Sequence, residues 1–353
     1  MKVAIVYDRV NKWGGAERVL LTLHEMFPEA PLYTSVYDEK NAPWAKAFPR
    51  VITSFIQKIP FAKNNHEFLA PLMPLAFETF NFDGFDLVIS VTSESAKGII
   101  TRPGTTHICY CLTPTRYLWS GYEDYFKNSI LKFITKPIVS YLKSWDKIAS
   151  GRPDKIIAIS TEVKSRIKRY YDRDSEIIFP PVNIHENIEP KTIEGKYYLI
   201  VSRLVSYKKV DLAIKTFNKL GYPLYIVGTG NQETKLKLMS RQNIKFLGGV
   251  SDEELLDVYK NAIALIMPQE EDFGIVSIEA QSMGIPVIAY SKGGAVDTVT
   301  DGITGVIFNE QNEESLSQAI EKFSEISFNR KTLMTNATRF SKEVFKKEFI
   351  KNI

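Results

Sequence analysis

The chain has 353 residues, enough for two domains of ordinary size, and its 44% hydrophobic and 24% charged residues are those of a soluble globular protein. A formal net charge of +4 is too mild to argue for a nucleic-acid partner. No apolar run approaches the ~18–20 residues of a membrane-crossing helix, and Lys2 leads straight into VAIVY and then into charge, which reads as a first strand and not as a signal peptide.

Val3 to Tyr7 is a buried-type strand, followed by Asp8 to Trp13, the pair Gly14-Gly15 and a helical pattern to Met26. A strand, a glycine pair and a helix start suit close approach of a phosphate, although the three-glycine spacing of a dinucleotide site is missing. Trp44 to Phe82 and Lys127 to Lys147 mix aromatic, aliphatic and basic residues, and Pro137 is expected to kink or interrupt a helix in the second of these. Such segments read as amphipathic helices packed on a sheet, or as a basic, aromatic face lying on anionic lipid.

Asp86 to Val91 and Thr106 to Cys111 read as further parallel strands. Cys109 and Cys111 share one apolar run in which the extended backbone disfavours a bridge, so they read as reduced, buried thiols of a cytosolic protein. Neither they nor the scattered His24, His66, His107 and His185 have metal-site spacing, and no metal or other cofactor is expected. After the second strand comes LTPTRYLW, a loop at the end where open α/β sheets bind ligands. Arg116, Tyr117 and Trp119 are its candidates to face a phosphate or sugar, against plain surface packing. Asp154 to Ser160, a helix from Thr161 to Tyr171 and Ile177 to Phe179 complete the first half. Pro180-Pro181 and the polar stretch His185 to Lys196 then mark a boundary, giving domains 1–184 and 185–335 and a closing helix over 336–353.

The second half opens with strand Tyr197 to Val201 and then SRLVSYKK, in which Arg203 and Lys208 frame a strand-to-helix turn. Arg offers a planar fork and Lys a point charge, and both suit a diphosphate. Strands Leu224 to Val227 and Ile244 to Leu247 end in glycine-rich loops at Gly228 and at Gly248 to Ser251, and Asp301 to Gly305 reads as a hairpin-like connection.

Between them, strand Ala262 to Met267 runs into PQEEDFGIVSIEAQSMG, which is the strongest signal in the chain. Glu271 lies in the loop and Glu279 on the helix that starts near Gly274. The N–H groups of Ile275 and Val276 point from a helix N-terminus towards an anion, and Gly274 lets a ligand approach the backbone. Carboxylates accept hydrogen bonds from hydroxyls, so a sugar and a ribose are natural guests. Either Glu taken singly reads as a solvated acid; Glu271, Phe273, Gly274 and Glu279 together read as a site.

This stretch resembles the E-x7-E motif of the retaining glycosyltransferases of family 4. The resemblance spans almost the whole chain and implies an α/β GT-B fold, two Rossmann-like doubly wound domains facing a cleft. It implies that Glu271 lies beside the donor sugar and Glu279 on the ribose, that Arg203 and Lys208 hold the donor diphosphate, and that Gly14 and Gly15 face the phosphates and acceptor. Gly228 and Val250 fall in the loops near the base and ribose. LTPTRYLW resembles the HTPxRYxW loop of part of the family, with Leu112 where the His near the reacting sugar stands, and Lys209 occupies a position that is often Gly. The implied partners are a nucleotide-sugar donor and a glycan or polyprenyl-diphosphate-linked acceptor, at the inner face of a membrane. The EEDFGIVSIEAQ and TPTRYLW variants look most like bacterial mannosyl- or related hexosyltransferases of surface-polysaccharide assembly, which points to GDP-mannose, with UDP-sugars as the alternative. A sugar-nucleotide epimerase, a binding protein that has lost catalysis and a dinucleotide oxidoreductase are the rival readings.

Overall fold

The structure is a computed structural model that describes residues 1–63, 66–125, 129–184 and 197–353. The polar boundary stretch His185 to Lys196 lies outside the described residues, as do Lys127 and the side chains of Ile130 and Leu131. The chain forms two units, Met1–Phe179 with Phe345–Ile353, and Pro180–Val344.

The first unit is built on a parallel sheet of β1 (Val3–Tyr7), β2 (Leu32–Thr34), β3 (Val51–Thr53), β4 (Leu87–Thr92), β5 (Thr106–Cys111), β6 (Lys155–Ala158) and β7 (Glu176–Ile177), in the order β3-β2-β1-β4-β5-β6-β7. The central strands are buried along their whole length and largely apolar, as a sheet covered by helices on both sides requires. The chain leaves β1 in one direction and returns to β4 on the other side, so the strand order reverses between β1 and β4.

The second unit repeats the arrangement with β8 (Tyr197–Val201), β9 (Leu224–Val227), β10 (Ile244–Gly248), β11 (Ala262–Met267), β12 (Val287–Tyr290) and β13 (Gly305–Phe308), ordered β10-β9-β8-β11-β12-β13 and all parallel. Here the order reverses between β8 and β11. Ile200, Phe217, Ile226, Ile266 and Ile320 fill one face of this sheet, and Leu199, Tyr259, Leu265, Ala280 and Val287 fill the other.

Three expectations are corrected. Pro137 does not interrupt its helix, which runs unbroken over Ser129–Ala149. Pro137 is on the exposed side, as is Phe133, so the Phe133 carbonyl that loses its N–H partner faces water and not the core. The Asp301–Gly305 segment is no hairpin link, because β13 lies parallel to β12; it is a tight turn in which Gly302 N–H donates to the Gly305 carbonyl at 2.8 Å. Trp44 to Phe82 holds short 3-10 turns and one brief helix, Met73–Glu78, in place of longer amphipathic helices.

The last helix, Lys342–Ile350, belongs to the first unit from Phe345 onward. Phe345 and Phe349 pack on Tyr110 of β5, with ring centroids 5.7 and 6.3 Å away, and Lys346 pairs with Glu25 at 2.7 Å. Phe340, which the sequence pattern puts on the same stripe, packs instead on Phe273 of the second unit.

Candidate functional site

The C-terminal ends of β8 and β11 flank the strand-order reversal of the second unit, the position where open α/β sheets take their ligands. The turn after β8 is woven into the turn after β9. Ser202 N–H donates to the Val227 carbonyl at 3.0 Å and Leu204 N–H to the Thr229 carbonyl at 2.9 Å. Gly228 has φ 127, and a Cβ there would stand 1.9 Å from the Ser202 carbonyl oxygen, so only glycine lets the two turns lie this close. Lys209 closes the turn in the left-handed region at φ 52, directly before the helix Val210–Leu220. Glycine would adopt that backbone without cost, and the strain Lys209 accepts is about 1 kcal/mol.

Lys208 is buried, and its ammonium is paired with the Glu271 carboxylate. The same Glu271 oxygen accepts a hydrogen bond from the Gln269 amide at 2.9 Å. Arg203, exposed, donates to the Tyr207 hydroxyl at 2.6 Å, and the Lys208 ammonium stands 5.2 Å from the centre of the Tyr207 ring. Tyr207 thus ties the two cations of the turn to each other.

The Glu271 loop is held from behind. Gly294 N–H donates to the Glu271 carbonyl at 2.8 Å, and Glu271 and Gly293 form a parallel bridge. Any side chain at Gly293 or Gly294 would collide with the backbone of Glu271 or Phe273. Gly274 follows at φ 87 as the N-cap of the helix Ile275–Ser282, and a Cβ there would stand 2.8 Å from the Met267 methyl and 3.7 Å from the Glu271 Cβ. Ser277 N–H goes back to the Gly274 carbonyl at 2.9 Å, while the N–H groups of Ile275 and Val276 have no acceptor within their own helix. The helix start, Lys208 and Glu271 therefore meet at one place. Glu279 lies further along that helix and accepts from the buried Tyr259 hydroxyl at 3.3 Å. Val250 is half-buried in the apolar cluster that includes Tyr259 and Val276. Phe273 is a core side chain, 3% exposed with its ring centre 5.5 Å from that of Phe340, so only its backbone is available to a ligand.

The remaining candidates belong to the first unit. Gly14 is extended, at φ 179, so its backbone does not call for glycine, and Gly15 opens the helix Gly15–Met26. Below that helix start lies Glu17, 2% exposed, which accepts from the Tyr7 hydroxyl at 2.9 Å; burial pushes its carboxyl above the usual range. Arg116 and Tyr117 are half-buried, and burial drives the Tyr117 phenol well above its ordinary value. The Trp119 indole N–H donates to Asp146 at 2.7 Å and its ring stacks on Tyr170 at 5.1 Å. Asp146 is almost completely buried. It also accepts from Lys97 at 2.5 Å, from Thr115 at 2.9 Å and from Tyr171 at 2.7 Å. Leu112 stands half-buried after β5. His107 is a core residue of β5, with Nε2 2.8 Å from the Ser90 hydroxyl, and burial lowers its pKa to about 3.

Gln269, Tyr207, Gly293 and Gly294 touch the candidate site residues and do not stand out in the sequence. Among the described residues, no three His, Cys, Asp or Glu side chains gather as metal ligands would.

Residues 183–340 match the family described as Glycosyl transferases group 1. The chain is 28% identical over 202 residues to an uncharacterized glycosyltransferase of Methanocaldococcus jannaschii, covering 56% of this chain and 57% of that protein. It is 34% identical over 135 residues to a GDP-mannose-dependent monoacylated alpha-(1-6)-phosphatidylinositol monomannoside mannosyltransferase of Corynebacterium glutamicum, covering 34% of this chain and 35% of that one. The matched stretches thus span little more than half the length of the first relative and about a third of the second. In fold, the chain superposes on Anabaena HepE, solved in complex with UDP and glucose, with a TM-score of 0.70 and 19% identity over 100% of this chain and 99% of that one. The fold is that of the GT-B glycosyltransferase structures.

Proposed function

We propose that the chain, whose residues 183–340 match the family described as Glycosyl transferases group 1, moves a hexose from a nucleoside-diphosphate sugar to a hydroxyl of a glycan or lipid-linked sugar, with retention at the anomeric carbon. The observation that carries the proposal is the meeting of Lys208, Glu271 and the start of the Ile275–Ser282 helix at the strand-order reversal of the second unit. An anion and a hydroxyl-rich group side by side are the guests such a place suits. The diphosphate leaves with negative charge, which Arg203, Lys208 and the helix N-terminus would stabilise, so the proposal calls on no metal. Glu271 would orient the sugar and stabilise positive charge at the anomeric carbon, and Glu279 would accept from the ribose. Gly228 and Val250 would line the base and ribose end. Gly14 and Gly15 would face the donor phosphates and the acceptor, and Arg116, Tyr117 and Trp119 would serve the acceptor side.

The sugar is proposed to be mannose from GDP-mannose, a reading supported by the EEDFGIVSIEAQ and TPTRYLW variants; a UDP-sugar is the alternative. The acceptor is proposed to be lipid-linked and presented on the cytoplasmic side of a membrane. The exposed residues of the Ser129–Ala149 helix support this: Phe133 is 80% and Ile134 65% exposed, and the same helix exposes Lys136 and Lys147. Among the described residues no helix is long and apolar enough to cross a membrane, so the contact would be peripheral.

A thermal-shift panel with GDP, UDP, ADP, GDP-mannose, UDP-glucose and NAD tests the core of the reading. A ligand at about 100 times its Kd adds ~2.7 kcal/mol of stability. Selective stabilisation by GDP and GDP-mannose is expected, a UDP preference would change the sugar and keep the activity, and a response to NAD alone would overturn the proposal. Turnover of donor with no acceptor to a new sugar nucleotide would make the protein an epimerase.

A further inference from the structure

Glu271 has two hydrogen-bond partners of different kinds on one oxygen. Lys208, with its side chain 11% exposed, stands on the turn after β8; Gln269, 3% exposed, stands on the same loop as Glu271 itself. The first is a cation that a diphosphate would also attract. The second is a neutral, buried amide, which attracts a phosphate far less than an ammonium does. We propose that Gln269 is a positioning residue: when a nucleoside diphosphate draws Lys208 away from Glu271, the Gln269 amide keeps the carboxylate aimed, and in doing so lowers the cost of releasing Lys208. The inference rests on the reading of this site as a diphosphate site.

The physical argument is one of competing partners. A carboxylate with a side chain only 16% exposed cannot recover full hydration when its counter-ion leaves. A second donor already in place reduces that loss. Two consequences follow for binding of a nucleoside diphosphate that carries no sugar. Removing the charge of Glu271 removes the internal competitor for Lys208, so binding tightens. Removing the Gln269 amide makes Glu271 depend on Lys208 alone, so binding weakens, and it weakens only while the carboxylate is there.

Calorimetric titration of the full chain with GDP, UDP and ADP tests both. For whichever nucleotide binds, Glu271→Gln should bind about tenfold more tightly, and Gln269→Leu about fivefold more weakly, the size of one charge-assisted hydrogen bond partly replaced by water. In the Glu271→Gln background, Gln269→Leu should change the affinity by less than about twofold, a coupling that a purely structural role for Gln269 would not produce. Gln269→Met serves as a second variant should Gln269→Leu fail to fold. If the parent binds a nucleotide and Glu271→Gln binds it no more tightly, the exchange is wrong. If Gln269→Leu weakens binding equally in both backgrounds, or in neither, Gln269 has no positioning role. If no nucleoside diphosphate binds the parent or Glu271→Gln, the diphosphate-site reading itself falls.

Discussion

In the first unit the crevice between the ends of β1 and β4 is closed by Asp8; in the second the crevice between β8 and β11 is bridged by Lys208 and Glu271. Asp8 is 4% exposed, and its carboxylate accepts from the backbone N–H groups of Ser93, Glu94, Ser95 and Ala96 at 2.7, 3.0, 2.8 and 2.8 Å and from the Thr92 hydroxyl at 2.9 Å. That arrangement of successive amides is an anion-binding nest filled by the protein's own side chain. Glu271 receives no such set of backbone donors; the contacts described for its carboxylate come from two side chains, and one of them suits a phosphate equally well. The same topological position is therefore spent on structure in one unit and left exchangeable in the other. That difference, more than the sheets themselves, is the reason the proposal assigns the nucleotide to the second unit.

The largest expected effect breaks the first half of the comparison. Asp8→Ala leaves buried amides unsatisfied and should cost about 3–5 kcal/mol of stability, read by urea unfolding; a loss under about 1 kcal/mol would mean the nest is not structural. The mirror experiment is Lys208→Ala. It should lower transfer at least about tenfold, a loss of ~1.4 kcal/mol of transition-state stabilisation, and should cost less stability than Asp8→Ala, because it leaves one carboxylate, 16% exposed, short of its counter-ion and no backbone amide unsatisfied. Transfer near the parent rate would remove Lys208 from the site.

A pH titration sharpens the same contrast between built-in and exchangeable groups. Burial holds His107 near a pKa of about 3, below the ~6.5 of an unfolded chain, so the folded protein binds fewer protons at this position. Its contribution is fully present above about pH 6.5 and is lost as pH falls towards 3, at up to about 1.4 kcal/mol per pH unit. Urea unfolding between pH 7 and pH 5 should show that slope, and His107→Gln should flatten it; an unchanged slope would contradict the assignment. The smallest effect is that of Trp119→Phe, which removes one of the donors to Asp146 and should cost about 1 kcal/mol in the same assay, leaving nucleotide affinity untouched.

Much of the fold was legible. Hydrophobic runs bounded by Gly, Pro and polar residues gave β1, β5, β8, β9 and β11 their observed limits, because strands buried on both faces announce themselves as continuous apolar runs. Leu32–Thr34 and Val51–Thr53 escaped, since three residues carry too little pattern to read as a strand. The candidate residues that the structure brings together were legible where chemistry and spacing coincide, at Arg203, Lys208, Glu271 and Gly274. Residues were not legible where the contact crosses the sheet. Gln269 reads as one more loop polar residue, and Gly293-Gly294 as a turn, until the parallel bridge to Glu271 brings them together. Asp8 likewise reads as an acid after a strand; the amides it caps lie beyond residue 92. Phe273 shows the opposite error, a residue inside a motif whose side chain serves the core.

The central claim is that a nucleoside diphosphate binds at the β8/β11 crevice by taking Lys208 from Glu271. A crystal structure of the protein with GDP or UDP tests it most directly. The diphosphate should lie within hydrogen-bond distance of Arg203 and Lys208, with Glu271 released from Lys208 and still held by Gln269. A nucleotide seated at the β1/β4 crevice, or a bound diphosphate beside a Lys208 still paired with Glu271, would contradict it.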